Sequence, residues 1–380
     1  MKVVYVTFSG RSGMAHYAEN LAVAMASEAS ARAVFIAPRS DLALLEGDAP
    51  VVPVERSDKS WKRRMLELYN PRFYRRIARR IVRDYTPDIV HVTSDSTGLL
   101  AFVKAIRRLG VVAVCTIHDP IRHDEVRTRW GRFYEWYQAK WQVPAVVRAC
   151  NAVHVHSALH QADLGNLYGP DAADKAYVVL HGGGLTKAIA AGDHRPAELK
   201  GLFQGRPTLL FFGRIEPYKG LDVLLRALDL LVARGVAVNL VIAGSGTSIG
   251  HRLPAGAEVI LIQRFIKDAE IRSLFEAASL VVLPYLSATQ SGVIPMAYAF
   301  AKPVISTTVG SLHEVVKDGE TGFLVPPGDP AALAGVIERA VQGPDNLVRM
   351  GRKAKLFLEE SLSWSEVARQ HLKVYRRLLE

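Results

Sequence analysis

Phe212-Gly213-Arg214-Ile215-Glu216-Pro217-Tyr218-Lys219-Gly220 closes the apolar run Thr208–Phe212 and precedes a helical pattern that begins near Leu221. The stretch therefore reads as a strand–loop–helix turn. Glycines let a ligand approach the backbone closely, and a helix start offers unpaired N–H groups to an anion. Arg214 can grip two phosphate oxygens at once, and Lys219, further along the loop, adds a compact charge. Two cations on one such loop suit a diphosphate, although solvated surface cations would look the same locally.

Outward from this loop, the same alternation fills the chain. Strands are predicted at Val3–Phe8, Ala33–Ile36, Ile89–Val92, Val111–Ile117, Ala152–Val155 and Tyr177–Leu180. A second series comprises Thr208–Phe212, Asn239–Ala243, Glu258–Ile262, Leu280–Leu283 and Pro303–Ser306. Helical patterns lie between them, among them Ala15–Ala26, Pro71–Arg83 and Asp222–Ala233. Continuous Val/Ile/Leu runs without alternation suit parallel strands covered on both faces, and the βαβ rhythm calls for doubly wound sheets. The rhythm breaks around His181–Pro207, which is polar and marked by Gly and Pro as an interdomain linker would be. The expected fold class is α/β, with two Rossmann-like doubly wound parallel-sheet domains facing across a cleft. Ligands should then sit at the carboxyl ends of the strands.

Composition narrows the functional classes. The chain has 380 residues, 49% hydrophobic and 22% charged, which suits two globular domains. No apolar stretch approaches the roughly 20 residues that cross a bilayer. The opening MKVVYVTFSG reads as a first strand rather than a signal peptide. Only Cys115 and Cys150 occur, so neither a disulfide framework nor a thiolate metal site is expected, and a cytoplasmic location is. The net charge of +11 owes much to the Arg-rich segment between Glu55 and Asp84, with Trp61, Tyr69, Phe73 and Tyr74 interleaved. That segment fits an anionic membrane surface or a phosphate-bearing partner, or simply a solvated helix face. No nucleic-acid module pattern accompanies the charge, so no nucleic-acid partner is expected. Gly244-Ser245-Gly246 is followed by Gly250, one place too late for a dinucleotide fingerprint, which argues against a dehydrogenase. His154, His156 and His160 read as core or surface histidines rather than metal ligands.

GRIEPYKGLDVLLRAL, from Gly213, resembles the motif that opens the C-terminal domain of family 4 glycosyltransferases, which have the GT-B fold. The resemblance continues through Leu240–Gly246, Glu276–Pro284, Lys302–Ile305, Gly310–Val316 and Gly319–Val325. It is looser through Ser12-Gly13-Met14, Asp88–His91 and His118-Asp119. It implies an acceptor-binding domain at 1–185, a linker at 186–205, and a nucleotide-sugar donor-binding domain at 206–363. A terminal helix, about 364–380, would join the first domain. The implied activity is hexosyl transfer from a nucleotide-diphosphate sugar, with retention and without a metal or other cofactor. By the same resemblance Arg214 and Lys219 hold the donor diphosphate, and His118 hydrogen-bonds the transferred sugar. Gly13 and Gly213 approach the donor, and Phe265 and Ile266 flank its base. An epimerase of the same fold and an inactive binding module are the competing implications.

One departure stands out. The family carries a Glu-x7-Glu pair before the Lys302-Pro303-Val304 strand, yet Ala288 and Met296 occupy those positions. The remaining candidates for sugar contacts are Gln290, Ser291, Gly292 and Val293, through side-chain amide, hydroxyl or backbone N–H. Expected partners are the nucleotide-sugar donor, a lipid-linked or oligosaccharide acceptor, and the inner face of the membrane. The aromatic stretch Arg122–Trp141 reads as an amphipathic helix or an acceptor-side lid.

Overall fold

The computed structural model describes residues 1–8, 13–26, 30–38, 51–56, 70–94, 98–118, 120, 137–185, 187–201, 205–246 and 253–380. Ser12, Trp61, Tyr69, Asp119, Gly250 and most of Arg122–Trp141 lie outside the described residues. The chain divides into two compact units, Met1–Leu180 with Trp364–Glu380, and His181–Ser363.

The first unit holds seven strands: β1 Lys2–Thr7, β2 Ser30–Pro38, β3 Val51–Arg56, β4 Ile89–Val92, β5 Val112–Thr116, β6 Ala152–Val155 and β7 Ala176–Val178. Their order is β3-β2-β1-β4-β5-β6-β7, and every pairing is parallel. One face is covered by α2 (Pro71–Tyr85) and α3 (Leu99–Arg108), the other by α1 (Gly13–Met25) and α7 (Trp364–Leu379). β3 is absent from the expected strands because Pro53 interrupts its apolar run. It lies at the sheet edge, where a residue without an N–H is tolerated. Cys115 and Cys150 are buried and not joined by a disulfide, with their sulfurs 3.1 Å apart.

Helix α7 joins the first unit through a buried polar network as well as through Val367, Ala368 and Leu372. The carbonyl of Val179 can only accept, so His154 donates Nε2–H to it (2.9 Å) and accepts at Nδ1 from the Thr116 hydroxyl (3.0 Å). The Thr116 oxygen then accepts Nε2–H of His91 (2.8 Å), and His91 Nδ1 lies 2.6 Å from the Tyr375 hydroxyl. His371, one turn earlier on α7, lies between the hydroxyls of Tyr177 (2.9 Å) and Tyr17 (3.3 Å). Burial disfavours the charged ring, so the pKa values of His91 and His371 fall well below the usual histidine value.

The second unit has six parallel strands, β8 Thr208–Phe212, β9 Asn239–Ala243, β10 Glu258–Ile262, β11 Leu280–Leu283, β12 Val304–Thr307 and β13 Gly322–Val325. Their order is β10-β9-β8-β11-β12-β13, a doubly wound arrangement whose direction reverses at β8 and β11. Helix α4 (Leu221–Ala233) buries Val223, Leu224, Ala227, Leu228 and Leu231 against the sheet. Residues 187–201, expected as linker, are ordered onto this unit beside α5 (Asp268–Ala277). His194 N–H donates to the Ala269 carbonyl (3.1 Å), and the Arg272 guanidinium donates to the carbonyl of Ala190 (3.0 Å). Arg264 lies 2.7 Å from Glu270 and holds its carboxyl down to about 2. These bonds fasten a stretch whose Gly and Pro content alone suggests a free connection.

Candidate functional site

In the second unit, the loop after β8 and the loop after β11 meet at the point where strand order reverses. Leu286 N–H donates to the carbonyl of Tyr218 (2.8 Å), tying one loop to the other. Gly220 has left-handed backbone (φ 68°), and a Cβ there would lie 1.9 Å from the Pro284 carbonyl oxygen, so only glycine fits. The Gly244–Gly246 turn braces the outer side. Gly213 N–H donates to Ala243 (3.0 Å), Ile215 N–H donates to Ser245 (2.7 Å), and a Cβ on Gly244 would strike the Gly213 carbonyl at 1.8 Å.

This frame carries two cations in different settings. Arg214 is exposed and has no carboxylate partner among the described residues. Lys219 is half-buried, with its Nζ 3.9 Å from the centre of the Tyr285 ring and 5.1 Å from that of Tyr218. Such stacking favours the charged lysine and restricts its ammonium without consuming a hydrogen bond. Tyr285 is itself fully buried. Its carbonyl accepts from the Thr307 hydroxyl (2.7 Å), and its own hydroxyl lies 3.2 Å from Ser291 Oγ. Tyr285 therefore links the cation loop to Ser291, and sequence reasoning missed it because the link depends on β8 lying beside β11.

At the start of α6 (Val293–Ala299), Ser291 Oγ accepts the N–H of Val293 (3.3 Å). That bond occupies one of the three N–H groups expected to face a sugar. Gly292 is exposed, with ordinary backbone (φ −65°) and open space where a Cβ would stand. Nothing in the fold demands glycine there. Gln290 and Met296 are half-buried, and Ala288 is buried. Beyond β10, Phe265 is 74% exposed whereas Ile266 is 7% exposed. The Phe265 ring is available for stacking, and Ile266 belongs to the core.

The first unit places Gly13 at the head of α1, above the carboxyl end of β1, where that sheet's order also reverses. His118, just past β5, is half-buried between two partners. The Thr93 carbonyl accepts from Nε2–H (2.9 Å), and Nδ1 lies within hydrogen-bond distance of His156 Nε2 (2.9 Å). Both ring nitrogens are thus engaged, so the ring reaches a sugar hydroxyl only by exchanging one of these bonds. His156, one place past β6, is the second site neighbour that local sequence does not reveal. Among the described residues no group of three or more His, Cys, Asp or Glu could hold a metal ion.

Comparison with known proteins adds to this geometry. The family model described as Glycosyltransferase Family 4 matches residues 11–182, and that described as Glycosyl transferases group 1 matches residues 206–343. The D-inositol 3-phosphate glycosyltransferase of Streptomyces scabiei is 34% identical over 246 residues, 60% of this chain and 54% of that protein. The chain thus spans about half the length of such curated relatives. The alpha-maltose-1-phosphate synthase of Mycolicibacterium smegmatis is 27% identical over 76% of this chain and 79% of that protein. Among solved structures, Anabaena HepE in complex with UDP superposes with a TM-score of 0.74 at 19% identity, over 99% of this chain and 100% of that one. Sucrose-phosphate synthase of Thermosynechococcus elongatus reaches 0.71 at 18% identity, over 100% and 99%.

Proposed function

Because the chain belongs to the glycosyltransferases that join a family 4 domain to a group 1 domain in the GT-B fold, we propose that it moves a hexosyl group from a nucleotide-diphosphate sugar to a glycolipid or polysaccharide precursor. The observation that carries this reading is the pair Arg214 and Lys219 on the loop after β8, at the reversal point of the second sheet. As the bond from sugar to diphosphate breaks, negative charge gathers on the departing phosphate. Arg214 and the ring-held Lys219 offset it in place of a bound metal. Phe265 stacks on the base, and a uridine is the first choice because neighbours in the same fold are solved with UDP and UDP-glucose. Ser291 and Gly292 face the sugar with hydroxyl and backbone N–H, and Gln290 and Met296 line that side in place of the absent carboxylates. His118 and the Gly13 end of α1 belong to the same reaction from the first unit. Retention at the anomeric carbon and a cytoplasmic location complete the proposal.

The test is incubation with UDP-, GDP- and dTDP-sugars and a set of lipid-linked and oligosaccharide acceptors, in the presence of a chelator. The reading predicts acceptor masses raised by one hexose and the donor's anomeric configuration in the product. Epimerised nucleotide sugar without acceptor, or donor binding with no turnover, would overturn it.

A further inference from the structure

Helix α2 of the first unit buries Tyr74, Ile77, Ala78 and Ile81, and α3 packs beside it in the same core. The opposite face presents Arg72, Arg75, Arg76, Arg79, Arg80 and Arg83, all exposed. At 3.6 residues per turn these six fall within an arc of about 140°. Arg80 and Arg83 meet Asp84, at 3.5 and 2.7 Å. Arg72, Arg75, Arg76 and Arg79 have no carboxylate partner among the described residues. Their three- and four-residue spacings set cation beside cation, an arrangement that destabilises an isolated helix. Lys104, Arg107 and Arg108 of α3 are exposed as well, and α3 carries no acidic residue.

We propose that this arginine face docks the protein on an anionic lipid bilayer. Six arginines and no lysine suit phosphate, which the planar guanidinium grips with two bonds. The apolar side of α2 is consumed by the core, so the helix does not insert between acyl chains. Attachment is electrostatic, reversible and screened by salt. Nucleic acid fits the same charge less well. The aromatic residues of α2, Phe73, Tyr74 and Tyr85, pack on the core rather than lying open to stack on bases. The proposal stands on the charge of this surface and does not depend on the transferase reading.

Co-sedimentation of the full chain with phosphatidylcholine vesicles, with and without phosphatidylglycerol, tests it. Binding should require phosphatidylglycerol and disappear in molar salt. The quadruple variant R72Q/R75Q/R76Q/R79Q should lose roughly fivefold in partitioning per arginine, several hundredfold in all. Its thermal midpoint should stay level or rise, because like charges have been removed. Equal binding to neutral vesicles, salt-insensitive binding, an unaffected variant, or tighter binding to a fluorescent DNA duplex than to anionic vesicles would each overturn the proposal.

Discussion

Replacing Tyr285 with leucine removes the ring 3.9 Å beneath the Lys219 ammonium while keeping an apolar side chain in a fully buried position. A cation over an aromatic face is worth about 0.5–1 kcal/mol when exposed and about 2 when desolvated. Lys219 is half-buried, so about 1–2 kcal/mol is the appropriate range, a loss of roughly five- to thirtyfold in nucleoside diphosphate affinity. Tyr285→Phe keeps the ring and gives up only the contact with Ser291 Oγ, so its diphosphate affinity should stay within about threefold of the parent. Titration calorimetry with UDP and with UMP separates a local effect from a general one. The lysine is assigned to the diphosphate, so Tyr285→Leu should weaken UDP more than UMP. Unchanged UDP affinity, or equal loss of both nucleotides, would refute the idea that Tyr285 positions Lys219.

Two further outcomes follow from the same structure. His91 and His371 are held neutral by burial, so the unfolded chain takes up protons that the native state refuses. The stability they confer is full above about pH 6.5 and falls below it by up to about 1.4 kcal/mol per pH unit for each ring. Thermal midpoints from about pH 7.5 to about pH 5 should therefore decline below about pH 6.5, and a flat profile would contradict the network. The glycines of the second unit should divide by role. Gly220→Ala forces left-handed backbone, costing about 1–2 kcal/mol before the clash with Pro284 is counted, and should lower the thermal midpoint. Gly292→Ala meets open space, so it should leave the midpoint unchanged and weaken binding of the nucleotide sugar; a lowered midpoint would assign Gly292 to the fold instead.

Much of the architecture is legible locally, because buried parallel strands are written as unbroken apolar runs. Ile89–Val92, Ala152–Val155 and the first four strands of the second unit coincide with their expected bounds. The two strands that escape notice lack that signature. β3 carries Pro53, and β13 opens on Gly322, where a Cβ would stand 2.0 Å from the Val304 carbonyl. The cation loop is legible as well, since Gly, Arg and Lys at a strand–loop–helix turn carry their own chemistry. The partnerships Lys219–Tyr285 and His118–His156 are not. Each joins residues brought together by strand order, β8 beside β11 and β5 beside β6, which no local pattern encodes. Ile266, aligned with a ligand-flanking position, is a buried side chain, a burial its local sequence does not announce.

That the loop after β8 holds a sugar donor's diphosphate for transfer is tested most directly by measuring UDP release from UDP-glucose. The assay runs with a lipid-linked or oligosaccharide acceptor, comparing the parent with Arg214→Ala and Lys219→Ala. Loss of one preorganised charge at the leaving group should lower turnover on the order of a hundredfold or more in each variant, with thermal midpoints unchanged. Turnover at the parent rate in either variant would contradict the account.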